Sequence, residues 1–217
     1  MIRPLACLTL LAIAAAPAPA RAGAAFYGLT FVGTISTVSP ELDDGTFQLG
    51  AEVTGFVRID AGVADGQASP AIGRYDGAAR DVFIALGDYE ASAPNGLVFL
   101  RDGDNAIDEF YVEAPVSGAP VGGFVPFRFI LDMVDPTQTA LSSDGIPSSL
   151  DRADFGTAFA LLHFEAGEET AGVDAAVTSL SYVPAPEPGG ALLAATGALT
   201  LGALLRRTRG SRAPAAA

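Results

Sequence analysis

The densest run of oxygen donors in this chain is Asp102-Gly103-Asp104-Asn105-Ala106-Ile107-Asp108-Glu109. Calcium takes roughly six to eight oxygen ligands, largely carboxylates and carbonyls. Asp102, Asp104 and Asp108 are therefore the candidate calcium ligands, and calcium is the one cofactor the sequence suggests. Set against the EF-hand pattern, Asp102 and Asp104 fit the first and third positions and Glu113 falls at the twelfth. Ala106 replaces the fifth ligand, Ile107 stands where glycine is required, and no helix pattern flanks the run. The segment reads as a looser calcium loop between strands, or as an acidic hairpin turn facing solvent.

Catalytic groups are sparse. His163 is the only histidine, on a strand-like run beside Glu165. A Ser-His-Asp site needs a serine on a sharp turn, and no G-x-S-x-G segment supplies one. Cys7 is the only cysteine and lies in the first apolar block, which excludes a thiol nucleophile, a disulfide framework and the usual zinc set from the rest of the chain. Paired carboxylates are inevitable in so acidic a chain and carry no weight. No catalytic residue is assigned, and His163 reads as structural. Sugar-binding faces are commonly aromatic. The chain has no Trp and five tyrosines, of which Tyr75 lies in a turn and is expected to be exposed.

Charge narrows the partners. The 217 residues carry 25 acidic groups against 12 basic ones, all arginine, for a net charge of −13. From Ala25 to Val183 there are 24 acids and 6 arginines, a formal −18. Such a surface repels nucleic acid and anionic lipid, so no nucleic-acid partner is expected.

These groups must be positioned by a middle segment that reads as strand. In Tyr27 to Ser36 and Phe47 to Ile59, apolar residues alternate with Gly, Thr, Gln and Glu, the period of a strand with one buried face. Further strands are expected over 81–89, 97–101, 108–114, 126–133, 157–166 and 176–183. Six Asx-Gly pairs, at 44–45, 65–66, 76–77, 95–96, 102–103 and 144–145, suit turns with positive φ. A short helix capped by Ser149 fits 148–155. Two long polar loops, 61–74 and 135–153, read as functional or mobile. The expected fold is all-β, an antiparallel β-sandwich or jelly roll spanning residues 25–183.

Both ends read as targeting segments. Arg3, the apolar run Leu5 to Ala16, and the small-residue stretch ending in Ala20-Arg21-Ala22 make a secretory signal peptide over residues 1–22, to be removed by signal peptidase. At the other end, the proline-stiffened stretch 184–189 leads into Gly190 to Leu205, which carries no charge. As a helix these residues would run about 24 Å, slightly short of the ~30 Å hydrocarbon core. The arginine-rich segment 206–217 would stay cytoplasmic by the positive-inside rule, with the acidic domain outside the inner membrane.

The order Pro186-Glu187-Pro188, apolar helix 190–205, then Arg206 and Arg207 resembles the PEP-CTERM sorting signal. The likeness covers the tail only. It implies processing by exosortase, a membrane-embedded cysteine protease-like enzyme of Gram-negative bacteria. It also implies transient anchoring in the inner membrane, release to the cell surface or the extracellular matrix, and an association with exopolysaccharide and biofilm. Gly73 to Ala78 and Ser142 to Phe155 are similar to stretches of such proteins whose function is unknown. The expectation is a non-enzymatic, exosortase-sorted surface or matrix protein. The alternatives are a calcium- or glycan-binding surface module and a secreted hydrolase.

Overall fold

In a computed structural model, residues 26–185 are described and form one all-β domain. Its strands are β1 (Phe26–Val38), β2 (Glu52–Asp60), β3 (Ile72–Leu86), β4 (Tyr89–Arg101), β5 (Asp108–Ala114), β6 (Ser117–Gly118), β7 (Val125–Asp135), β8 (Thr157–Ala166) and β9 (Glu169–Ala185). All pairings are antiparallel, in the order β3-β2-β1-β9-β8-β7-β5-β4, with short β6 beside β4. β3 also pairs with β4, which closes the sheet on itself. The antiparallel all-β expectation stands. The arrangement is an eight-stranded barrel rather than the two stacked sheets of a sandwich or jelly roll.

Strand length and bulges explain the closure. β1, β3, β4 and β9 run 13 to 17 residues, and the register slips between Val32 and Gly33, Phe56 and Arg58, Asp76 and Ala79, and Pro126 and Arg128. Each slip bends and twists its strand, so a long sheet curls until its edges meet. Asp76-Gly77 and Asn95-Gly96, expected as turns, lie inside this β3–β4 ladder, with Gly77 at φ +80° on the bulge and Gly96 paired to Ala79. The actual turns at Gly87-Asp88 and Gly167-Glu168 put glycine first, at φ +60° and +67°.

An eight-stranded barrel is just wide enough to be filled by side chains. The inward positions Leu29, Phe31, Ile59, Ile84, Leu100, Phe110, Phe129, Leu131 and Phe164 are essentially inaccessible. The Phe31 and Phe129 rings stack with centroids 6.1 Å apart. The Phe31 ring fills the place where a side chain on its partner Gly55 would sit, so any Cβ at Gly55 would collide with it. Burying a phenylalanine contributes about 1.5–3 kcal/mol, and this core holds four that are almost wholly enclosed.

Loops seal both ends. One rim carries the 39–51 loop, where Leu42 and Phe47 are buried and Phe47 packs on Tyr89 and Phe164 at 5.2 and 5.7 Å. The opposite rim carries 61–71, 102–107 and 136–156, together with Phe26 and Ala185, which pair with each other. The chain therefore enters and leaves the barrel side by side. Expected structure at 47–51 and 148–155 differs in detail. β2 starts only at Glu52. A 3-10 turn, Arg152–Asp154, replaces the short helix and is capped by Asp151, which accepts from the Ala153 N–H, instead of by Ser149.

Among the described residues no helix is long and apolar enough to cross a membrane. The expected signal peptide 1–22, span 190–205 and tail 206–217 lie outside the described residues. So do Pro186, Glu187, Pro188, Arg206 and Arg207.

Candidate functional site

The three candidate calcium ligands share a rim but not a common focus. Asp108 opens β5 facing inward and is fully buried. Its Oδ1 accepts the Gly103 N–H at 2.9 Å and its Oδ2 accepts the Leu141 N–H at 2.8 Å. It thereby ties the 102–107 turn to the long 136–156 loop. Asp102 is half-exposed, and Asp104 faces Arg101, whose Nε lies 3.6 Å from Asp104 Oδ2. Among the described residues no three His, Cys, Asp or Glu side chains gather closely enough to hold a metal ion.

The loop expected over 135–153 as functional or mobile spans 136–156 and is clamped across the barrel mouth. Asp135, nearly inaccessible at the end of β7, accepts N–H bonds from Thr137, Thr139 and Ala140 at 2.8, 2.8 and 3.1 Å, and the hydroxyls of both threonines. The Thr137 hydroxyl and the Thr139 N–H hold its carboxyl well below the usual carboxylate range. Tyr75 is not exposed as expected. It points inward and donates its hydroxyl to the Asp144 carbonyl at 3.0 Å. The bulge at Asp76-Gly77 puts the turn-like sequence around it inside a strand. Tyr182 does the same to the Pro147 carbonyl at 2.9 Å, while Leu141 and Phe155 sink into the core. The loop is a plug.

His163 projects outward from β8, half-buried, with its ring 6.2 Å from Phe127 and its strand partner Arg128 alongside. Burial, helped by the Arg128 charge, pushes its pKa down. It belongs to the outer wall formed by β4, β5, β7 and β8, and that wall holds the least expected chemistry in the domain.

There the pairing register sets outward side chains in rows: Leu97 faces Glu113, Phe99 faces Tyr111, and Arg101 faces Glu109, with Arg74 of β3 bordering Phe99. Together they line an open groove of about 260 Å³. The Phe99 and Tyr111 rings meet edge to face at 6.5 Å, and the Arg101 guanidinium lies 5.5 Å above the Phe99 ring. Tyr111 donates its hydroxyl to Glu113 Oε2 at 2.6 Å. Burial, reinforced by that carboxylate, raises the Tyr111 pKa strongly. Arg101 Nη1 approaches Glu109 Oε2 at 3.4 Å without the alignment of a hydrogen bond.

Glu109 and Asp132 sit diagonally across the β5–β7 ladder. Burial pushes both acids upward, and Arg101 opposes it in each case. Among the described residues five buried side-chain polar atoms lack a hydrogen-bond partner, and four lie on this wall: Arg101 Nε, Glu109 Oε2, Arg128 Nε and Asp132 Oδ1. The sequence hid this wall because it is assembled from residues on different strands, set opposite one another only by register. The visible signal was Glu109, Tyr111 and Glu113, polar or amphipathic residues alternating through β5 with the buried Phe110 and Val112.

No known protein family, no curated protein and no solved structure matches the chain.

Proposed function

We propose that this chain is an exported, non-enzymatic protein of the cell surface or extracellular matrix, anchored briefly in the inner membrane, sorted by exosortase and associated with exopolysaccharide and biofilm. The observation that carries the reading is the order of the tail: Pro186-Glu187-Pro188, the uncharged run 190–205, then Arg206 and Arg207. The domain geometry agrees with it. A barrel filled with side chains and plugged at both rims suits a stable module outside the cell. Because Phe26 and Ala185 are partners, the leader and the tail both attach at one rim.

Replacing Pro186, Glu187 and Pro188 together by alanine tests the proposal in cells that carry an exosortase. Wild-type protein should be shortened and moved to the surface or medium, while the variant collects at full length in the inner-membrane fraction. Equal processing of both would leave a plain membrane anchor as the better account.

A further inference from the structure

We infer that the groove on the outer face of β4 and β5 is a binding site for a neutral carbohydrate chain, with Tyr111 and Phe99 as its apolar floor and Arg101 and Glu109 as its hydrogen-bonding wall. The inference builds on the preceding reading in one respect, that the domain works outside the cell among polysaccharides. Its own basis is the chemistry of the groove.

Charge comes first. Two guanidinium groups, Arg74 and Arg101, line the groove with two carboxyl groups, Glu109 and Glu113, so its lining is balanced in charge on a domain whose formal charge from Ala25 to Val183 is −18. Arg74 is itself paired with Asp76 at 3.0 Å and Arg101 with Asp104 at 3.6 Å. The paired arginines deter a cation, and the surrounding field repels a polyanion. A neutral ligand rich in hydroxyl groups meets neither penalty.

Unused hydrogen-bonding capacity comes second. Arg101 lies between Asp104 and Glu109 at 3.6 and 3.4 Å, close to both yet hydrogen-bonded through Nε to neither. A half-buried donor and acceptor in this state retain capacity for a further hydrogen bond. A sugar hydroxyl is both donor and acceptor, so one hydroxyl can serve the guanidinium and the carboxyl together once Arg101 turns from the Phe99 ring. That movement also uncovers the ring face for the C–H face of a pyranose.

Shape comes third. The rows from Leu97 to Arg101 extend about 13 Å at ~3.3 Å per residue, room for a di- or trisaccharide laid along the strand. The volume of about 260 Å³ falls just below the roughly 300–1,000 Å³ range of enclosed small-ligand sites. An open groove also lets a longer chain run past both ends.

The test uses the full chain purified in a neutral detergent, so that its outcome is independent of tail processing. Cellohexaose, maltohexaose, xylohexaose and an alginate hexamer are titrated calorimetrically against wild type, Tyr111→Ala, Tyr111→Phe, Arg101→Lys and Asp88→Asn. At least one neutral hexasaccharide should bind. Tyr111→Ala and Arg101→Lys should weaken it roughly tenfold or more, as removal of an aromatic or arginine anchor does. Tyr111→Phe, which keeps the ring, should weaken it less, and Asp88→Asn on the distant hairpin should leave it unchanged. Thermal melts identify variants that still fold cooperatively. Absence of binding to all three neutral chains, preference for alginate, or undiminished binding by folded Tyr111→Ala and Arg101→Lys would each overturn the inference. So would a change of oligomeric state in these variants without a change in sugar binding, which would make the groove a contact between copies.

Discussion

Asp108 and Glu109 are neighbours in the chain, and Asp132 and Asp135 share β7, yet the two pairs of acids face opposite environments. Asp108 and Asp135 are the more deeply buried. Every oxygen of theirs meets at least one backbone N–H from a loop, at 2.8 to 3.1 Å. Glu109 and Asp132 are only half-buried and face outward from strands whose N–H groups are committed to the ladder, so their partners are side chains alone: each other and Arg101. Burial alone does not decide what an acid does. Where loop N–H groups converge on it, it becomes a clamp and its ionised form is favoured; where side chains alone surround it, burial favours its protonated form.

The largest effect should come from the inner pair. Asp108→Ala strands the Gly103 and Leu141 N–H groups in the interior and releases the plug. It should destabilise the domain by about 3 kcal/mol, roughly 6–12 °C in Tm, measured by thermal denaturation of the folded protein. A loss under 1 kcal/mol would mean that the clamp does not hold the loop.

The next effect is a difference in pH response. Folding favours the ionised form of Asp135, so its contribution is present above the ordinary carboxylate value of about 3.9 and disappears as pH falls through its lowered value. Asp135→Asn should reduce stability at neutral pH and flatten the acid limb of a Tm–pH curve. Glu109 and Asp132 carry the opposite sign. Folding favours their protonated forms, so stability is fully present below about pH 4 and declines as pH rises through the raised values. Glu109→Gln, an uncharged mimic of the protonated acid, should raise Tm at neutral pH and reduce that decline. If both substitutions moved the curve in the same sense, the contrast between the pairs would fail.

The smallest effect belongs to Asp102 and Asp104, the half-exposed acids of the oxygen-rich run. Asp102→Asn with Asp104→Asn should shift stability by no more than about 0.5 kcal/mol. Any rise in Tm with millimolar calcium should be the same in this variant as in wild type. A calcium-dependent rise that vanished with these two residues would reveal a cation site formed on binding.

Much of this architecture was legible in the sequence, and the gaps have physical causes. Period-two alternation located the strands because each has one face against the core, and β1 and β8 match the expected segments closely. Barrel closure was not legible, since the β3–β4 pairing depends on bulges that look like turns in the sequence. Asp76-Gly77 has the chemistry of a turn and serves as a bulge. The 136–156 loop is polar by composition, but Leu141 and Phe155 are the residues that anchor it, and two apolar side chains among many polar ones give no periodic signal. Asp108 drew attention as a ligand because it lies in an oxygen-rich run, although the expected strand 108–114 is the observed β5 and its alternation puts Asp108 on the inward face with Phe110, Val112 and Ala114. One residue earlier in register it would have faced solvent.

The measurement that bears most directly on the account as a whole is the intact mass of the protein recovered from the surface or medium of the producing cell. Export through the leader followed by sorting through the tail predicts a species that begins near Gly23, ends close to Pro186-Glu187-Pro188, and contains the entire barrel. A surface species that retains residues 190–217, or one that still carries Met1, would contradict it.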